Sequence, residues 1–288
     1  MEYINKPSLA KKLRTYRRTP GSLILLILVL LSAVITVGVL AFLIIYILVK
    51  GVPNLTPDLF AWTYNSENVS LLPSLINTLI MTCLSLIIAG PIGIFSAIYL
   101  VEYAKRGNRF VSVVRVTAET LSGIPSIVYG LFGMLFFVTT MKLGMSILSG
   151  GLTMAIMILP LIMRTTEEAL KSVPDTYREG SFGLGAGKLR TVFKIVLPSA
   201  VPGILAGIIL AIGRVVGETA ALMYTAGTVA EIPSSLMDSG RTLSVHMYTL
   251  ASEGLHVNEA YATAVVLLII VILINLLSGF IAKRLAKK

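Results

Sequence analysis

Residues 23–49 run for 27 positions without a single charged side chain. A bilayer-crossing helix needs about 20 apolar residues, whereas the apolar region of a cleaved leader has roughly 7–15. The run therefore reads as a retained membrane anchor. Lipid offers no hydrogen-bond partners to the backbone, so a chain built around such runs is confined to helices or a closed barrel. Five further runs have helical length: about 74–101, 111–140, 145–163, 200–224 and 260–282. The expectation is an all-α membrane protein with six transmembrane helices. Pro125 should kink the third, which carries Arg115 and Glu119 near its start, while Arg214 and Glu218 interrupt the fifth. Only 13% of the 288 residues are charged, against about 25% in soluble domains, which agrees with lipid as the solvent.

The net charge of +10 would suggest nucleic acid in a soluble protein. Here its distribution argues otherwise. Nineteen Lys and Arg residues fall in the N-terminal segment, in the second-to-third and fourth-to-fifth connections and at the C-terminus. The opposite side holds three: Lys50, Lys142 and Arg241. Lys and Arg accumulate on the cytoplasmic side, so both termini are expected there, as an even helix count also requires. No nucleic-acid partner is expected.

Catalytic motifs are missing. The phosphate-binding pattern G-x-x-x-x-G-K-[ST] is approached at Gly187-Lys188. There Phe182 takes the first glycine position and Leu189 follows the lysine. No histidine lies in a span, and Asp58, Asp175 and Asp238 all lie outside the spans, which leaves an intramembrane protease without its groups. His246 and His256 share an outer connection without metal-ligand spacing, and the one cysteine, Cys83, cannot form an internal disulfide.

The cytoplasmic connection 164–198 is the most informative stretch. Ser172-x-x-Asp175 has the form of a capping box, with Pro174 tolerable in a first turn, so a short helix should reach about Phe182. Gly183, Gly185 and Gly187 then permit a sharp reversal. Leu189, Val192, Phe193 and Val196 follow at i, i+3, i+4, i+7, the stripe of a second, interfacial helix. Pro198 marks the entry to the fifth span. The outcome is a helix-turn-helix elbow with small residues at its tip. On these grounds alone an ordinary amphipathic connection explains it equally well.

The spacing adds to this. Glu179, Gly180, Ser181, Gly185, Ile195, Leu197 and Pro198 match the pattern Glu-Ala-Ala, three residues, Gly, nine residues, Ile-x-Leu-Pro. Small Gly180 and Ser181 replace the alanines, while Glu167-Glu168-Ala169 lies at the wrong distance. The stretch resembles the signature of ABC importer permeases. That resemblance implies a type I permease fold in which the elbow is a cytoplasmic coupling helix inserted into a cleft on an ATPase.

Arg214 and Glu218, spaced i, i+4, should share a helix face and pair. Intramembrane charges are costly and usually face a bundle interior or a water-filled path. Arg suits phosphate because its planar fork matches oxyanions, and Arg164 at the inner end of the fourth span is a second candidate contact. A structural ion pair is the alternative. The segments 163–170 and 213–220, with Ser122-Gly123-Ile124-Pro125-Ser126, are similar to those of phosphate importer permeases.

That second resemblance implies import of inorganic phosphate with a sister permease, an ATPase dimer and an external phosphate-binding protein. The chain would be a non-catalytic subunit of a bacterial or archaeal cytoplasmic membrane. It would bind no cofactor of its own, ATP being used by the partner. Residues 1–69 would form the N-terminus, first helix and outer loop, and 70–288 the permease domain. A permease for another oxyanion or small solute, or an ion-coupled secondary transporter, is the alternative.

Overall fold

The structure is a computed structural model that describes residues 20–105 and 107–286. Side-chain surroundings are described for 21–105, 107–277, 279 and 280. The basic residues of the N-terminal segment, Arg106, Lys287 and Lys288, and the side chains of Lys283 and Arg284, lie outside this description. All regular structure among the described residues is helical.

Two compact units divide at Lys50. The first contains nearly all of α1 (Pro20–Gly51), apolar all round, as suits a membrane-crossing helix. The second, Gly51–Lys288, contains everything else. Its helices are α2 (Leu72–Ile98), α3 (Arg109–Ser122), α4 (Ser126–Gly133), α5 (Ile147–Lys171), α6 (Asp175–Gly183), α7 (Lys188–Thr191), α8 (Leu197–Val216), α9 (Ala220–Thr225), α10 (Leu243–Glu253) and α11 (Val257–Ala286). Wider π turns extend α2 through Tyr99–Tyr103 and α4 through Met134–Thr140, and join α7 to α8 through Val192–Val196.

Five helical stretches among the described residues are long and apolar enough to cross a membrane, and a bent pair makes six if it is counted as one span. That pair is α3 and α4, meeting at 101°. The expected third span is thus broken rather than kinked. The cause is local. Pro125 has no N–H and pushes Ile124 out of the helical region. Before it, Gly123 and Ile124 close the helix with tight turns to the Thr120 and Leu121 carbonyls. Tyr129 Oη also donates to the Leu121 carbonyl, at 2.8 Å.

The core of the second unit is the packing of α2 along α5 and α5 along α8. Met81, Met154, Ile158, Ile162, Val215 and Leu222 are fully or almost fully enclosed there. Lipid is as apolar as leucine, so close fit holds spans together more than water exclusion does. The seam between α5 and α8 shows it. Gly203 and Gly207 on α8 sit against Ala169 and Thr165 on α5, both pairs spaced by four. A Cβ at Gly207 would lie 2.6 Å from Thr165 Cβ, and one at Gly203 2.7 Å from Ala169 Cβ.

Polar residues pin the connection 225–259 to α2. Asn77 Nδ2 donates to the carbonyls of Glu231 and Arg241, and Thr78 Oγ1 accepts from the Leu243 N–H at 2.8 Å. The buried Arg241 guanidinium stacks over the Tyr64 ring, centred 4.7 Å away, and the same ring meets His246 edge-on.

Candidate functional site

The elbow begins where α5 runs past the expected end of the fourth span to Lys171, two turns beyond Met163. Ser172 does not form the expected capping box. Its Oγ turns back to the Ala169 carbonyl at 2.7 Å, and Pro174 occupies the N-cap position of α6 without a side-chain cap. Asp175 pairs instead with Arg178 at 3.2 Å. Ser172 instead caps the C-terminus of α5, because Val173-Pro174 must leave the helical region before α6 can start.

Helix α6 ends in a Schellman motif. The Ala186 N–H reaches the Ser181 carbonyl, the Gly185 N–H reaches that of Phe182, and Gly185 sits at φ +81°. That left-handed conformation costs a residue with a Cβ roughly 1–2 kcal/mol. The signature positions then separate by direction. Glu179 and Gly180 are exposed, with open space where a Gly180 side chain would be. Ser181 is buried, and its hydroxyl lies 2.8 Å from that of Thr191 on α7. Ile195 is half-buried, Pro198 is exposed, and Leu197 packs against the cluster of Leu170, Val173, Val192 and Val196.

The second arm differs from expectation. Residues 188–216 form one helical course of 29 residues, not a separate helix followed by a span. The π turn at Val192–Val196 widens the helix just ahead of Pro198, whose missing N–H a regular α-turn would leave uncompensated. Of the expected apolar stripe, Val192 and Val196 are buried while Leu189 and Phe193 are exposed. With Tyr177, Phe182 and Leu184, also exposed, they give the elbow an apolar outer surface.

The Arg214–Glu218 pair does not form. Helix α8 stops at Val216, and the course expected to reach Tyr224 resumes only with α9 at Ala220. Glu218 falls in the break, and its Oε1 accepts the Ala221 N–H at 3.1 Å. That bond to the first turn of α9 takes the place of the expected pairing with Arg214. Arg214 remains exposed in the last turn of α8, beside carbonyls that favour a cation, and among the described residues no carboxylate pairs with it. Arg164 is different. It stands between Glu168 at 3.4 Å and Glu119 at 3.9 Å.

Two buried ionic centres escaped the sequence reading. Glu167, part of the off-register Glu-Glu-Ala, is buried and binds Arg115 at 2.7 Å and Lys171 at 2.6 Å, tying α3 to α5. The Lys171 contact was visible as an i, i+4 pair; the Arg115 contact was not. Glu102 is held by Arg178 at 2.6 Å, a pairing 76 positions apart in the chain that no local pattern announces.

Residues 89–288 match the family of binding-protein-dependent transport system inner membrane components. The chain belongs to that family. Among curated relatives, this family member is 33% identical over 278 residues to a probable ABC transporter permease protein, YqgI, of Bacillus subtilis, covering 90% of this chain and 94% of that one. It is 35% identical over 211 residues to the phosphate transport system permease protein PstA 1 of Mycobacterium tuberculosis, covering 72% and 69%. Identity to the phosphate transport system permease protein PstA of Haemophilus influenzae is 30% over 270 residues, covering 92% and 95%. A chain of a bacterial alginate ABC transporter, solved with an alginate-pentasaccharide-bound periplasmic protein, superposes with a TM-score of 0.68 at 15% identity, covering 96% and 99%. The inward-facing MetNI methionine ABC transporter gives 0.58 at 19% identity, covering 75% and 94%. At these identities the structures establish the fold, that of ABC importer permeases.

Proposed function

We propose that this chain is a permease subunit of an ATP-driven importer of inorganic phosphate. Relatives named as phosphate permeases support the cargo, and one observation on this chain carries it: Arg214, a guanidinium at a helix break, with no carboxylate partner among the described residues. A planar fork without a counter-charge is free to take a tetrahedral oxyanion bidentately. Arg164 is a weaker candidate, because Glu119 and Glu168 already repel an anion there.

The chain pairs with a sister permease, receives phosphate from an external binding protein and is driven by an ATPase dimer, binding no cofactor of its own. Both termini face the cytoplasm. Residues 1–69 serve as anchor and outer loop, and 70–288 as the permease domain. The ATPase receives the elbow through Glu179, Gly180 and the exposed apolar residues around them. Ser181, Gly185, Ile195, Leu197 and Pro198 give the elbow its shape.

Replacing Arg214 with Ala tests the cargo contact. Phosphate uptake should fall at least tenfold while the complex still assembles with its sister permease and ATPase. Undiminished uptake, or a complex that no longer assembles, would show that Arg214 is structural.

A further inference from the structure

Helix α6 has little apolar attachment to the body of the protein. Of its nine residues only Ser181 is buried, and Tyr177 and Phe182 are exposed. A partner pushing on such a helix would tilt it without moving anything else, unless polar contacts make it stiff. Two such contacts exist among the described residues. Ser181 meets Thr191 and so joins α6 to the course that becomes α8. Arg178 makes the other.

The Arg178 guanidinium closes on Glu102 as a fork, Nη2 to Oε1 at 2.6 Å and Nε to Oε1 and Oε2 at 3.2 and 3.4 Å. Its remaining N–H groups donate to the carbonyl of Val173 at 2.8 Å, to Asp175 Oδ1 at 3.2 Å and to the carbonyl of Leu170 at 3.0 Å. The side chains are 15% and 7% exposed. One guanidinium thus binds α6, the last turn of α5 and the π turn that ends α2. The paired, saturated geometry is the kind that resists separation, because pulling it apart strands a buried charge.

We propose that Arg178, with Glu102, is a positioning residue that carries displacement of the elbow to the inner end of α2. The inference rests on the importer reading. Ser181 moves the α8 side and Arg178 moves the α2–α5 side, so one docked helix drives both walls of the α2–α5–α8 core. Without the fork, ATP is hydrolysed and α6 moves, but α2 does not follow.

The test uses the full complex with sister permease, ATPase and binding protein in proteoliposomes, reading phosphate accumulated per ATP hydrolysed. Arg178→Gln and Glu102→Gln should each lower that ratio at least tenfold, with hydrolysis within twofold of wild type. The double variant should be no worse than the more affected single one. Arg178→Lys keeps a charge opposite Glu102 but loses the fork, and should give an intermediate ratio. An unchanged ratio in the single variants, or a double variant that loses the product of both effects, would overturn the inference. So would failure of all variants, Arg178→Lys included, to assemble, since the contact would then serve folding alone. A wild-type complex that accumulates no phosphate would instead overturn the function on which the inference rests.

Discussion

Gly207 is the position where the α5–α8 seam is most easily tested. Carbon atoms pack best at about 3.5–4.0 Å, yet a Cβ on Gly207 would stand 2.6 Å from Thr165 Cβ. The helices would have to part by roughly 1 Å for one methyl group, and further for a larger side chain. Thr165 cannot swing aside freely, because its hydroxyl donates to the Leu161 carbonyl at 2.9 Å and to that of Ile162 at 3.2 Å. Gly207→Leu should therefore cost about 3 kcal/mol, the upper end of ordinary overpacking. Replacing a mid-helix glycine returns about 1 kcal/mol of helix propensity, leaving a net loss of about 2 kcal/mol. At about 2–4 °C per kcal/mol for a chain this size, the melting midpoint should fall by about 4–8 °C. The assay is thermal unfolding of the purified protein in mild detergent. Gly213→Leu on the same helix is the control, since a Cβ there meets nothing within 4 Å; it should not lower the midpoint. Equal midpoints for the two variants would refute the packing argument.

Other outcomes follow from the same geometry. Gly185→Val should strain the left-handed position at φ +81° by roughly 1–2 kcal/mol and misshape the elbow; co-purification of the ATPase should drop severalfold, and undiminished recovery would sink the docking claim. Burial, and then the nearby Arg241 charge, push the His246 imidazole down to about 3. The unfolded chain, with an ordinary histidine near 6.5, takes up a proton that the folded state refuses, so this contribution to stability is complete above about pH 6.5 and is lost as the pH falls towards 3. At pH 5 the loss should be about 2 kcal/mol, and melts of His246→Phe should lack that component; identical pH slopes for both proteins would contradict the burial argument.

What the sequence revealed depended on how local the cause was. The uncharged run 23–49 and the spacing from Glu179 to Pro198 are short-range patterns, and membrane helices and a small helix ending at Gly183, closed by left-handed Gly185, are what the structure holds. Local patterns also misled where a neighbour in space or a proline intervened. Ser172 and Asp175 had capping-box spacing, but Val173-Pro174 forced a helix end between them, and Arg178 drew Asp175 away. Arg214 and Glu218 had the spacing of a helical pair, but the helix stopped at Val216, and Glu218 found a free N–H on α9. The contacts Glu102–Arg178 and Arg115–Glu167 depend on helices brought together by the fold, so no spacing rule reaches them.

The most direct test of the account is ATP-dependent uptake by the reconstituted complex, comparing labelled phosphate, sulfate and molybdate side by side. Phosphate should accumulate, sulfate and molybdate should not, and all uptake should stop when the ATPase is omitted. Accumulation of sulfate or molybdate in place of phosphate, or phosphate uptake that persists without the ATPase, would contradict it.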